Sequence, residues 1–157
     1  MKRVALIPGS FDPFTRGHQS LVEQALRLFD HVVVAIGHNM NKEGLLDVEM
    51  RKRLIEELYQ DEPRVEALIY EGLTGDFAAE VGAQAMIRGV RTSVDFEYER
   101  NLDAINRRLF PEIATLILVT PAELSHVSSS VVQELLAYGR DVTELMPEGV
   151  NLDKYLI

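Results

Sequence analysis

Cysteine and tryptophan are both missing from this 157-residue chain. Without cysteine there is no disulfide framework and no thiolate zinc site, which fits a reducing compartment such as the cytoplasm. No apolar run approaches the roughly 18 residues that a membrane span needs, so no membrane segment is expected. Nor is a secretory leader expected, because Met1-Lys2-Arg3 leads into a strand-length apolar run rather than a signal-peptide core. Positive charge is also scarce. Sixteen Lys and Arg stand against 25 Asp and Glu, for a net charge of −9. Such a chain is a poor nonspecific partner for nucleic acid. If it binds a polyanion, a few local cations must overcome the global field, and their positions carry information. What is present is an ordinary globular composition, 46% hydrophobic. The length suits a single domain over residues 1–157 with a genuine core.

The chain is organised around Pro8-Gly9-Ser10-Phe11-Asp12-Pro13-Phe14-Thr15-Arg16-Gly17-His18. An apolar run, Val4–Ile7, precedes it. Leu21, Val22, Ala25, Leu26 and Phe29 follow at helical spacing. The stretch is therefore a strand-to-helix turn. Gly9 permits a tight turn or close ligand approach. Gly17-His18 opens a helix, where free N–H groups and the dipole favour an anion. Ser10 and His18 then face one space. The plainer alternative is a Gly/Pro turn with a surface histidine.

Further apolar runs at 31–36, 65–70, 85–87 and 115–120 alternate with helical segments at 48–59, 76–81, 93–109 and from 125–130 to about 138. The pattern predicts an α/β, Rossmann-like five-stranded parallel sheet in the order 3-2-1-4-5, with helices on both faces. In that order the chain reverses direction between strands 1 and 4, and ligands bind beyond their carboxyl ends. Strand 1 ends in the turn above. Strand 4 runs into Arg88-Gly89-Val90-Arg91, expected as a loop whose two arginines hold phosphate oxygens. Lys42 lies in a polar loop after strand 2, beside the same pocket; a solvated lysine is the alternative. Ser128-Ser129-Ser130 opens a helix and suits a triphosphate tail, unless one serine is simply an N-cap. On the helix 93–109, Tyr98, Leu102, Ile105 and Leu109 form an apolar stripe bordered by Glu99 and Asn106; core packing is the alternative. The four histidines have no metal-ligand spacing, and no nucleophile–base–acid triad is readable.

Gly9-Ser10-Phe11-Asp12-Pro13 followed by Thr15-Arg16-Gly17-His18 resembles the first signature of the nucleotidylyltransferase superfamily. Lys42, Ile87-Arg88-Gly89-Val90-Arg91, Asp95-Phe96-Glu97-Tyr98-Glu99 and the serine-rich helix start extend the likeness through the chain. Thr15 and the serine motif resemble the phosphopantetheine adenylyltransferase family in particular. The resemblance implies transfer of the adenylyl group of ATP to 4′-phosphopantetheine, giving dephospho-coenzyme A and pyrophosphate. It implies that Ser10, Lys42 and Arg88 hold the acceptor phosphate, and that Leu73, Thr74, Leu102 and Asn106 meet the pantetheine arm. The nucleotide would meet Ser10, Phe11, His18, Gly89, Val90, Arg91, Glu99 and the run Leu124, Ser125, His126, Val127, Ser128, Ser129, Ser130. His18 would stabilise the transition state. The chain departs from the family pattern at Ser10, where threonine is expected, and at Leu124 and His126, where aromatics are common. Mg²⁺ would accompany ATP with few or no protein ligands. Coenzyme A as a feedback inhibitor and a homohexamer are also implied. A sister nucleotidylyltransferase with another phosphate acceptor, or a non-catalytic ATP-binding sensor, are the alternatives.

Overall fold

The computed structural model describes residues 1–156; Ile157, the last residue of the expected domain, lies outside the described residues. Strands and helices alternate as β1 (Val4–Gly9), α1 (Arg16–Leu26), β2 (His31–Gly37), α2 (Val48–Leu58), β3 (Val65–Tyr70), α3 (Thr74–Glu80), β4 (Ala85–Val90), α4 (Ser93–Leu109), β5 (Ala114–Val119) and α5 (Ser129–Ala137). Single 3₁₀ turns occur at Ala122–Leu124, Thr143–Leu145 and Leu152–Tyr155. The sheet is parallel throughout, in the order β3-β2-β1-β4-β5, as the alternating pattern predicts.

Helices cover both faces, so the strands read as continuous apolar runs rather than alternating ones. On one face Ala5, Ile7, Val32, Val34, Ile36 and Ile87 pack with Val22 and Ala25 of α1, Leu54 and Ile55 of α2, and Val132 of α5. On the other, Leu6, Val33, Ala35 and Met86 pack with Ala78 of α3 and with Ile113. Each fully buried Val or Ile contributes roughly 1.5–3 kcal/mol relative to exposure.

β1 pairs with β2 over six residues, from Val4–His31 to Gly9–Ile36. Its pairing with β4 stops after Ala5–Ala85 and Leu6–Met86. Beyond that point the two strands splay apart, and the crevice expected at the reversal of strand order opens between them.

Two expectations are corrected, and one alternative is set aside. Arg88, Gly89 and Val90 belong to β4, not to a loop, because that strand continues its ladder with β5 as far as Val90–Val119. Ser125 does not open the last helix: it closes a 3₁₀ turn, and Ser128 caps α5 by accepting the N–H of Val131 at 3.2 Å. The alternative set aside is core packing for the apolar stripe of α4. Tyr98, Leu102, Ile105 and Leu109 are 37–61% exposed, while Glu99, at 6%, is the buried residue of that helix.

Candidate active site

The crevice between β1 and β4 is divided by one side chain. Arg88 reaches from β4 across the gap and donates to the carbonyl of Pro8 through Nη1 at 2.7 Å. Its Nε and Nη2 donate to the two carboxylate oxygens of Glu99 at 2.9 and 2.8 Å. Three of the guanidinium's five N–H groups are thereby used, which leaves two for a ligand. Glu99 is buried, so the pair fixes the guanidinium plane more firmly than an exposed ion pair would.

On one side lies a hollow of about 280 Å³, bounded by Gly9, Ser10, His18, Arg91, Ser128 and Ser129 as well as Arg88. His18 is the third residue of α1. Its Nδ1 accepts the N–H of Thr15 at 3.0 Å, so the ring closes its own helix in the place a glutamate commonly takes. That bond puts the ring proton on Nε2, the donor left for the hollow. Phe11 stands edge-on to the ring at 4.9 Å and Phe14 lies 5.4 Å away. Phe11 reaches this position through a left-handed backbone, φ +50°, rare for an aromatic and strained by about 1–2 kcal/mol. Burial first, then the charges of Arg88 and Arg91, press the His18 pKa down to about 4. The imidazole is therefore neutral at pH 7, a donor that adds no cation of its own.

Arg91 is tied loosely, with Nη1 3.4 Å from the Ser125 carbonyl and Nε 3.6 Å from Asp95. Gly89 borders the hollow, and Val90 is buried and does not line it. The hydroxyl of Ser129 donates to Pro13 O at 2.9 Å, and Ser128 caps α5, so the simple N-cap reading holds for that serine. Ser128 and Ser129, at the start of α5, still border the hollow, and free N–H groups at a helix start favour an anion. The lining starts at Val127. Leu124 packs against the main core, Ser125 gives its carbonyl to Arg91, and His126 is exposed.

On the other side of Arg88 is a second hollow of about 390 Å³, lined by Leu73, Thr74, Leu102, Ile105, Asn106 and Leu109, with Glu99 beside Arg88. Glu99 is thus on the acceptor side of Arg88 rather than among the residues around His18. Gly75 makes this hollow possible. A Cβ there would stand 2.1 Å from the ring of Phe110, which sits directly on the glycine and brings the start of α3 to the end of α4.

Lys42 does not share a hollow with Arg88. It lines a third one with Ser10, Ser129 and Ser130, on the far side of Ser10. Its loop is fastened by two residues that the spacing argument left unused. Asp12 lies within the quoted signature. Arg51 sits on α2 one turn from Val48 and Leu54, at a position that should be apolar, and that misfit is the sequence signal for it. Among the described residues no three His, Cys, Asp or Glu side chains cluster so as to hold a metal ion.

Residues 6–135 match the Cytidylyltransferase-like family. The chain is 46% identical over 151 residues to a phosphopantetheine adenylyltransferase of Bacteroides thetaiotaomicron, covering 96% of this chain and 99% of that protein. It is 47% identical over 152 residues to the enzyme of that name from Porphyromonas gingivalis, covering 97% and 99%. With the Phocaeicola vulgatus enzyme of that name the figures are 48% over 151 residues, 96% and 99%. A solved structure described as a nicotinate-nucleotide adenylyltransferase from Vibrio parahaemolyticus superposes with a TM-score of 0.68 at 19% identity, covering 99% of both chains; it shares the fold.

Proposed function

The chain belongs to the phosphopantetheine adenylyltransferases within the Cytidylyltransferase-like family, and we propose that the hollows on either side of Arg88 are its two substrate sites. The protein is a nucleotidyltransferase of coenzyme A biosynthesis. It transfers the adenylyl group of ATP to 4′-phosphopantetheine, giving dephospho-coenzyme A and pyrophosphate. The observation that carries the site assignment is Arg88 as a shared wall. A polar space with two helix starts lies on one side, and an apolar space lies on the other. A triphosphate and an amide arm meeting at one phosphate need that pairing of surfaces.

In this reading Ser10 and Arg88 hold the acceptor phosphate where the two hollows meet, Lys42 reaches it over Ser10 from the third hollow, and Leu73, Thr74, Leu102 and Asn106 take the arm. Ser10, Phe11, Gly89, Val90, Arg91 and the segment Leu124, Ser125, His126, Val127, Ser128, Ser129, Ser130 serve the nucleotide, and Glu99, on the acceptor side, acts by holding Arg88. An acceptor phosphate oxygen attacks the α-phosphorus in line. The new P–O bond forms as the bond to the bridging oxygen of the β-phosphate breaks, and its electron pair leaves with pyrophosphate. Such a transfer depends on positioning and charge neutralisation rather than on a covalent intermediate. His18 donates its Nε2–H to an α-phosphate oxygen as charge develops there. Burial and the two arginines hold it neutral, so it is a fixed dipole rather than a proton source at neutral pH.

The carboxylate of Asp12, which borders Ser10, is taken up by the Leu45 and Leu46 amides and Arg51, and Glu99 by Arg88. Mg²⁺ therefore enters as part of the substrate, on the phosphates of ATP. The same reading takes the protein as one cytoplasmic domain that assembles as a homohexamer and responds to coenzyme A by feedback. Val94, Phe96 and Tyr98, exposed apolar residues of α4 outside the acceptor hollow, support assembly. No helix among the described residues is long and apolar enough to cross a membrane.

The test is product formation with MgATP and a panel of acceptors. The expected result is pyrophosphate in step with dephospho-coenzyme A from 4′-phosphopantetheine, and none from pantetheine, which lacks the attacking phosphate. Comparable turnover of nicotinate mononucleotide, or ATP binding with no pyrophosphate from any acceptor, would reject the reading.

A further inference from the structure

The turn that carries Ser10 is bolted to the loop that carries Lys42, and the bolt is a buried ion pair. Asp12 and Arg51 are 6% and 8% exposed. The Asp12 carboxylate accepts the N–H of Leu45 and the N–H of Leu46, each at 2.7 Å. Arg51 lies 3.4 Å from the same carboxylate and donates to the carbonyls of Leu46 at 3.0 Å and Ser10 at 3.4 Å. One carboxylate and one guanidinium thus hold both the loop and the turn. The turn itself is fixed on its other flank, where Gln133 of α5 donates to Asp12 O at 2.5 Å and Ser129 to Pro13 O.

The loop has two feet. The main-chain N–H of His38 donates to the Tyr70 carbonyl at 2.9 Å at one end, and Asp12 holds Leu45 and Leu46 at the other. Between them Lys42 stands exposed on a short turn closed on Asn39. A flexible four-carbon side chain finds a phosphate only as well as its backbone is placed. Gly44 completes the fit. A Cβ there would stand 2.2 Å from Arg51 Nη2 and 2.3 Å from Asp12 Oδ2, so the loop passes directly over the pair. A buried ion pair is a weak stabiliser compared with apolar packing, but its directional bonds fix register.

We propose that Asp12 and Arg51 are positioning residues for the acceptor phosphate. They set the separation between the Ser10 turn and the Lys42 loop, and so govern capture of 4′-phosphopantetheine rather than of ATP. This rests on the adenylyl-transfer reading above.

Gly44→Ala wedges a methyl group against the Asp12–Arg51 pair while leaving both side chains in the sequence, and Asp12→Asn removes the carboxylate charge. In both, the amides of Leu45 and Leu46 should exchange with deuterium at least about tenfold faster, while protection elsewhere in the sheet is kept. KM for 4′-phosphopantetheine should rise about tenfold, with KM for ATP and kcat at saturating acceptor within about threefold of the parent. Arg51→Lys, which keeps the charge but loses the fork, should fall between parent and Asp12→Asn. If Asp12→Asn does not fold, Gly44→Ala decides. Unchanged exchange at Leu45 and Leu46, or both KM values rising together, would overturn the proposal. Should the parent release no pyrophosphate with 4′-phosphopantetheine, it is the functional reading that fails, and the exchange result still judges the latch.

Discussion

The two hollows that share Arg88 are built on opposite plans. Around His18 the polar side chains, Arg91 apart, are held in place before any ligand arrives. The imidazole is fixed by Thr15, Arg88 by Glu99 and Pro8, and Ser129 by Pro13. Along α4, by contrast, the surface is apolar and open. Leu102 is 37% exposed, and Ile105 and Leu109 are each 57% exposed. The difference follows from what each side must do. Charge that develops in a transition state is stabilised best by dipoles that need not reorganise. An amide arm is held by area and shape, which side chains on one helix face can supply.

If that division is right, damage on the first side should appear in turnover, and damage on the second in acceptor affinity. The largest effect is expected from His18→Ala. Loss of one preorganised donor should lower kcat by about 10²–10³, with ATP affinity by titration calorimetry little changed. Turnover within about threefold of the parent would remove His18 from the mechanism. Next comes Arg88→Ala, which strips the shared wall. The loss of a charge-assisted bond worth roughly 1.5–3 kcal/mol should weaken use of 4′-phosphopantetheine at least about tenfold. It also leaves Glu99 buried without a partner, and a thermal melt should show destabilisation on the order of 3 kcal/mol. Leu102→Ala should be milder, about 1–2 kcal/mol in acceptor kcat/KM with ATP parameters unmoved. A shift in the ATP parameters instead would blur the division.

The smallest expected effect is a pH-independence. His18 has a folded pKa near 4, below its ordinary value of 6.5. Its neutral form is favoured in the folded protein, so its contribution to stability is fully present above about pH 6.5 and is lost as pH falls toward 4. Proton NMR should therefore find no His18 titration between about pH 5.5 and pH 8. A midpoint near 6.5 would mean that the ring is neither buried nor pressed by the arginines.

Much of this could be read from residues alone. The sheet order followed from apolar runs separated by helical stretches, and β3 was placed to the residue. The meeting of the Ser10 turn with Arg88 followed from that order without any contact being known. Three kinds of information were hidden. Where a strand ends depends on its neighbour: Arg88, Gly89 and Val90 look like loop residues but are held by β5. Which face of a helix is covered depends on tertiary packing. The stripe of α4 has the periodicity of a core helix, yet the buried side chain is Glu99. Partner choice was the third gap. Asp12 was in plain sight in the signature, but only the fold brings Arg51 to it from 39 positions along the chain.

The division of labour itself is tested most directly by hydrogen exchange measured with one ligand at a time. A non-hydrolysable ATP analogue should protect segments around residues 9–18, 88–91 and 127–130 and leave 73–75 and 102–109 unchanged. Added alone, 4′-phosphopantetheine should protect 73–75, 99–109 and the Lys42 loop, with residues 88–91 the ground common to both. Protection of α4 by the nucleotide, or one footprint shared by the two ligands, would contradict the assignment of a separate site to each substrate.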